Sequence, residues 1–378
     1  MISPSAIRHP SSALRMPAEW EPHRATILAW PHHKKDWPGK FEPIPWVYAE
    51  IMRYLTKNER VRMLVKNEVQ KADMLYHCDV TGIDSSKIDI HVIPTNRSWM
   101  RDSGPIFVYQ SCGPQSGSTG SRTARKDPAL ARRAPQDLCM LDFRCNGWGG
   151  KYNNHMLDDK VPAALNEKIK IRHIEPMHNG QRVVLEGGSI DVNGKGTLLT
   201  TEECLLSKIQ ERNSGFKRED YEQIFEKYLG IRQVIWLGSG VTGDDTHGHV
   251  DDLSRFVNAN TVVTVVEKNK RDVNFAPLQN NLKRLKKARD QNDKPLNVVE
   301  LPMPRPLMFE GTRLPASYAN FLIANKLVLV PTFNDPADRI ALSILAECFP
   351  DRDVVGIHAV DLVWGFGTIH CMSQQEPA

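Results

Sequence analysis

Five side chains in this 378-residue sequence have types and positions that suit chemistry: Asp102, Glu186, His249, Asp251 and Cys371. Asp102 precedes the β-rich run 105–109, Glu186 precedes 189–192, and His249 and Asp251 precede 254–257. Cys371 lies in the C-terminal segment 367–375. Singly, each has an ordinary reading: an Asp in Arg-Asp-Ser-Gly-Pro is a turn or cap residue, a Glu before Gly-Gly is a loop residue, and a lone Cys is a small buried hydrophobe. Their recurrence at one station of a repeat argues for convergence on one place. Carboxylates accept paired N–H bonds from a planar guanidinium and hold its charge. A thiolate can then attack the central carbon, with a histidine moving the proton. That chemistry requires neither a metal nor an organic cofactor, and its partner is a small-molecule guanidine.

The elements that must position these groups alternate along the chain. Apolar or β-branched runs predict strands over 25–30, 61–65, 88–93, 231–237, 261–266, 298–301, 327–332 and 354–358. Helical patterns lie over 45–57, 68–78, 218–228, 277–290 and 336–348. The alternation is α/β, without a Gly-rich dinucleotide fingerprint or a phosphate-binding loop. Hairpins recur at 189–200, 254–265 and 320–331, and their turn residues Asn193, Asn258 and Asn325 are 65 and 67 residues apart. The runs 105–109 and 139–144 form an earlier copy with an expanded turn. A ββαβ unit of this period fits the chain about five times, which predicts a propeller-like repeat.

Composition excludes several classes. Lys and Arg total 49 against 45 Asp and Glu, a net +4 too small for a nucleic-acid surface. No apolar run approaches the ~18 residues of a membrane span, and the N-terminus lacks the apolar core of a secretory signal. Seven scattered cysteines argue against a disulfide framework or structural zinc, so a cytoplasmic location is expected. Residues 111–137 are rich in Ser, Gly, Pro, Ala and Arg and predict an exposed, mobile insertion in a single catalytic domain spanning 1–378.

The chain also resembles agmatine deiminases and their relatives in the bacterial peptidyl-arginine deiminase family. Met16-Pro-Ala-Glu-Trp-Glu-Pro-His23, Trp99-Met-Arg-Asp-Ser-Gly-Pro105 and Asn146-Gly-Trp-Gly-Gly150 carry the first part of the resemblance. Leu185-Glu-Gly-Gly-Ser189, Thr200-Thr-Glu-Glu-Cys-Leu205 and Gly243-Asp-Asp-Thr-His-Gly-His-Val-Asp251 continue it. Ser317-Tyr-Ala-Asn320 and Ile369-His-Cys-Met-Ser-Gln-Gln375 complete it, and only 111–137 falls clearly outside.

The resemblance implies a pentein-like, five-bladed β/α propeller of ββαβ units. It also implies hydrolysis of agmatine to N-carbamoylputrescine and ammonia by a homodimer. By position, Cys371 matches the nucleophile, His249 the general acid/base, and Asp102, Glu186 and Asp251 the guanidinium-binding carboxylates. Asp245 matches a substrate-contacting position, Trp99 walls the pocket, and Cys204 reads as structural. Trp20, Glu21, Trp30 and Trp37 are candidate walls for the amine end. The acidic motif residues, Asp244 and Asp252 among them, predict an acidic pocket that rejects carboxylates, with Arg101 and Arg313 as the only residues able to reverse this. His247 and Asp252 stand where the family pattern has Asn, which leaves arginine, peptidyl-arginine or another guanidine open as substrate. The same departure spells His-Gly-His-Val-Asp-Asp, so a metal-dependent hydrolase using His247, His249 and Asp251 is the rival reading.

Overall fold

Hairpin, helix and parallel strand follow one another five times in the computed structural model, which describes residues 14–111 and 136–378. In the first unit, Ile106–Ser111 pairs antiparallel with Gln136–Leu141, and Arg172–Ile174 adds parallel after the helix Val161–Ile169. The second joins Asp191–Val192, Thr197–Thr201 and Gln233–Leu237 in the same sense. The third joins Ser254–Phe256, Thr261–Val266 and Asn297–Pro302, and the fourth Leu322–Ala324, Leu327–Thr332 and Asp353–His358. The chain ends build the fifth. Ser373–Pro377 pairs antiparallel with His23–Ala29, which continues in parallel through Arg60–Val65 to Ile88–Val92.

The central strands of the third and fourth sheets, Thr261–Val266 and Leu327–Thr332, are buried along almost their whole length. This explains their unbroken apolar sequence, since a strand covered on both faces does not alternate. Helices such as Ile44–Leu55 bury Ile44, Val47, Tyr48, Ile51 and Leu55, one stripe at helical spacing. The turn asparagines divide into two kinds. Asn193 and Asn258 accept backbone N–H bonds within their own hairpins, from Lys195 and Thr197 at 2.9 and 3.0 Å and from Asn260 and Thr261 at 3.2 and 2.9 Å. Asn325 instead reaches across to the backbone of His23, accepting at 3.0 Å and donating at 2.7 Å, and so ties the fourth sheet to the fifth.

The segments leading into the first strand of each unit meet in a closed ring. Gly188 N–H donates to Asp102 at 3.1 Å, and His249 lies 3.9 Å from Glu186. Ser317 donates to the Asp252 carbonyl at 2.6 Å, Thr368 to Asn320 at 2.6 Å, and Arg101 N–H to the Cys371 carbonyl at 3.0 Å. Five units in a ring is the arrangement the repeat predicts.

Most elements lie within a few residues of their expected bounds. The helix expected over 218–228 is α-helical only across Arg218–Ile224, then widens to a π-turn over Phe225–Leu229 that stops at Gly230 (φ 72°). A side chain at Gly230 would meet the Leu14 carbonyl at 2.3 Å. The helix Val161–Ile169 and the two-residue strands near 177–182 and 308–313 lacked a sequence signal, being too short for a period to emerge. Ser111 and Gln136 are register partners, so the insertion continues the tip of the first hairpin; residues 112–135 lie outside the described residues. Among the described residues no helix is long and apolar enough to cross a membrane.

Candidate active site

Each unit delivers its site residue from a short turn just before its first strand. Asp102 is on the turn Met100–Ser103, Glu186 caps Gly187–Ser189, and His249 precedes the turn Val250–Asp252 that carries Asp251. Cys371 lies two residues before Ser373–Pro377. A cleft of about 490 Å³ opens over this centre, with Trp99, Asp102, Trp148 and Cys371 among its lining residues. His249, Glu186 and Asp251 are buried behind that surface.

His249 sits inside a triangle of carboxylates, its ring nitrogens 3.7 Å from Asp102, 3.9 Å from Glu186 and 4.0 Å from Asp251. Burial opposes a charged imidazole, but Asp102 foremost, with Cys204 and Glu186, raises its pKa well above the usual value. Both ring nitrogens and one Asp251 oxygen are buried without a hydrogen-bond partner among the described residues, capacity that a ligand can use. The other Asp251 oxygen is 2.7 Å from His370, whose second nitrogen is 2.9 Å from Glu19.

The two remaining carboxylates differ in kind. Asp102 accepts from Trp148 Nε1 at 2.9 Å and Gly188 N–H at 3.1 Å, and burial, reinforced by Asp251 and Glu186 against the pull of His249, pushes it up to about 6. Burial would raise Glu186 as well, but Arg212, buried and 3.0 and 3.2 Å from its two oxygens, holds it at about 2. The Cys371 sulfur accepts from Asn320 Nδ2 at 3.1 Å and lies 3.7 Å from Asp251. Burial first, then Asp251, Asp252 and Asp102, pushes this thiol well above its usual pKa. A cation placed among those carboxylates opposes their field and favours the thiolate.

The structure thus gathers Cys371, His249, Asp102, Glu186 and Asp251 at one end of the cleft, with Trp99 as a wall, its ring tilted 39° to that of Trp37 at 5.3 Å. Asp245 lines the cleft with its carboxylate engaged by Lys151 and, at 2.5 Å, by Tyr152. Trp20, Glu21, Trp30 and Trp37 do not line it; the N-terminal segment contributes His33, Lys35, Asp36 and Pro38 instead.

The pocket is less acidic than the sequence predicts. Asp244 is spent on the N–H groups of Thr246, Gly248 and His249 at 2.7–2.8 Å, while Arg97 and Lys35 line the cleft. Arg101 bonds Gln375 at 2.6 Å and Arg313 bonds Asp272 at 2.7 Å, so neither reaches the pocket.

The metal reading also fails on geometry. His247 has φ 66° and meets Ser207 at 3.1 Å, and among the described residues neither cluster of possible metal ligands contains it. A left-handed backbone here suits both this His and the Asn that the resemblance leads one to expect, since Asn, Asp and His adopt αL more readily than other residues with a side chain. Cys204, read as structural, is buried with its sulfur within 4.8 Å of ligand atoms of Glu186 and His249. Motif and spacing assign no role to Trp148, Arg212 or Asn320. Asn320 occupies the station in the fourth unit that Asp102, Glu186 and Asp251 occupy in the first three and Cys371 in the fifth, and that register is the available signal.

Gly188 is what lets the triangle close. A Cβ there would stand 2.5 Å from His249 Nδ1, 2.9 Å from Asp102 and 3.1 Å from Asp251. Gly188→Ala is therefore expected to displace the imidazole and lower kcat/KM by roughly a hundred-fold, the scale of a 1 Å misplacement. Its circular dichroism should stay native, and an alanine variant of wild-type activity overturns the packing argument.

The family model of Porphyromonas-type peptidyl-arginine deiminases matches residues 15–377. The agmatine deiminase of Stutzerimonas stutzeri (strain A1501) is 32% identical over 385 residues, covering 96% of this chain and 95% of its own. That of Pseudomonas aeruginosa (strain LESB58) is 32% identical over 392 residues, covering 97% and 96%. Among solved structures, the agmatine deiminase of Enterococcus faecalis superposes with a TM-score of 0.82 at 29% identity, covering 97% of this chain and 96% of that one. A cysteine-to-serine variant of the C. jejuni agmatine deiminase, with substrate bound, gives 0.79 at 29% identity, with 96% of each chain covered. With its motifs in order, its ring of five units and this similarity along almost its whole length, the chain belongs to the Porphyromonas-type peptidyl-arginine deiminase family.

Proposed function

We propose that this protein is an agmatine deiminase, hydrolysing the guanidinium group of agmatine to N-carbamoylputrescine and ammonia. The observation that carries the reading is one buried thiol and three carboxylates gathered at the same end of a single cleft. Asp102, Glu186 and Asp251 hold and orient the planar cation, and Trp99 and Trp148 wall it. Its charge favours the Cys371 thiolate, which attacks the central carbon while protonated His249 delivers a proton to the departing ammonia. Neutral His249 then takes a proton from water, whose oxygen displaces sulfur from the amidino intermediate and leaves the urea product. The sum is a guanidinium plus water giving a urea plus ammonium.

All five units contribute to this centre, so the chain acts as one catalytic domain. The scattered cysteines support a cytoplasmic site of action, and the family resemblance supports a homodimer. The test is ammonia release from agmatine, measured in excess EDTA and after thiol alkylation. Activity should survive the chelator and be lost with the thiol. Loss in EDTA, or survival of an enzyme shown by mass spectrometry to be alkylated at Cys371, overturns the mechanism.

A further inference from the structure

We propose that the outer end of the cleft is a carboxylate seat built on Arg97, through which the enzyme also hydrolyses linear ω-guanidino acids of about agmatine's length. The inference rests on the deiminase reading of the inner end and extends it to a second substrate class.

Arg97 lines the cleft with its side chain only 9% exposed. Its guanidinium lies 4.0 Å over the Tyr152 ring, and its backbone N–H is held by Asp158 at 3.2 Å. Among the described residues its one side-chain acceptor is Asp36. Nε is buried without a partner; Nη2, also without an acceptor, is not sealed off as Nε is. Asp36 is divided between Arg97 and His33, 2.9 Å away, and its second oxygen is buried out of reach. The reachable group at this ion pair is therefore a donor.

The neighbouring charges point the same way. Asp245 is already engaged by Lys151 and Tyr152, and Lys35 lines the same end. Lys35 and Arg97 thus stand beside the carboxylates of Asp36 and Asp245, both of which already have cationic partners, so neither is left bare to repel a carboxylate. The Nη2 amino group of Arg97 offers its N–H bonds to a carboxylate as charge-assisted donors. A guanidinium at one end and a carboxylate at the other satisfy both ends of the cleft. The reaction is balanced as for agmatine: the C–N bond to the departing ammonia breaks, a C–O bond to water's oxygen forms, and a ureido acid and ammonium result without a co-reactant.

The test is ammonia release by the purified full-length protein from agmatine, 5-guanidinopentanoate and n-butylguanidine, the last having the same chain with no charged tail. In the wild type, kcat/KM for the acid is expected to exceed that for butylguanidine by ten-fold or more, and any smaller advantage overturns the seat. Arg97→Gln should erase the advantage. Because this is a ratio within one preparation, a fall in the amount of folded variant does not disguise it, and an advantage that persists removes Arg97 from the account. If agmatine releases no ammonia either, the deiminase reading itself fails, an outcome distinct from failure of the seat.

Discussion

Cys371→Ser is expected to abolish turnover, by roughly 10⁴-fold or more as for loss of other enzymic nucleophiles, while the protein still folds and binds agmatine. The serine oxygen is smaller than sulfur and can still accept the Asn320 N–H, 3.1 Å from the sulfur in the wild type. What is lost is acidity. Three carboxylates already disfavour the thiolate, and the guanidinium can offset their field for a thiol but not for an alkanol. Wild-type enzyme quenched during turnover should carry an amidino adduct on the peptide containing Cys371. Calorimetry of the serine variant should show agmatine binding. An adduct on Cys204, the other thiol close to His249, or an active serine variant would reassign the nucleophile.

The ring of five units was legible because its signals are local. Asx turns at Asn193 and Asn258, strand runs such as 261–266 and the polar residue ahead of each hairpin are all set within a dozen residues. The identity of the convergent set followed from the same register. Local sequence could not show which charges are already matched. Counting Asp244 and Asp245 toward an acidic pocket ignored the backbone N–H groups that consume the first and the Lys151, 94 residues away, that engages the second. Arg97, two residues before Trp99, looks like a loop charge until Tyr152 and Asp36 fold around it. Arg212 lies in a segment of mixed charge, and only the folded chain presses it against Glu186.

That pairing separates two carboxylates that the sequence treats alike. Asp102→Asn and Glu186→Gln should each lower kcat/KM at least ten-fold, since each removes a charge-assisted hydrogen bond to the guanidinium worth roughly 1.5–3 kcal/mol. Their effects on stability should part. Asp102 has its folded-state pKa raised from 3.8 to about 6, so the folded state binds the proton more tightly than the unfolded one. Wild-type stability therefore falls as pH rises through that window, by at most on the order of 3 kcal/mol at neutral pH. Asparagine removes this penalty, but it can accept from only one of Trp148 Nε1 and Gly188 N–H, and the orphaned donor costs about 1–3 kcal/mol. The two nearly cancel, and the variant's melting temperature near pH 7 should stay close to wild type. Glu186 has the opposite sign, with its folded pKa depressed to about 2 by Arg212 and its stabilisation complete at neutral pH. Glutamine leaves the fully buried Arg212 without a counter-charge, a loss of about 3–5 kcal/mol when one partner of a buried pair is removed. Melting curves at pH 7 should show Glu186→Gln several degrees below both wild type and Asp102→Asn. Equal melting temperatures for the two variants would mean that Arg212 is satisfied by the Gln210 and Thr246 carbonyls alone and that the ion pair contributes nothing to the fold.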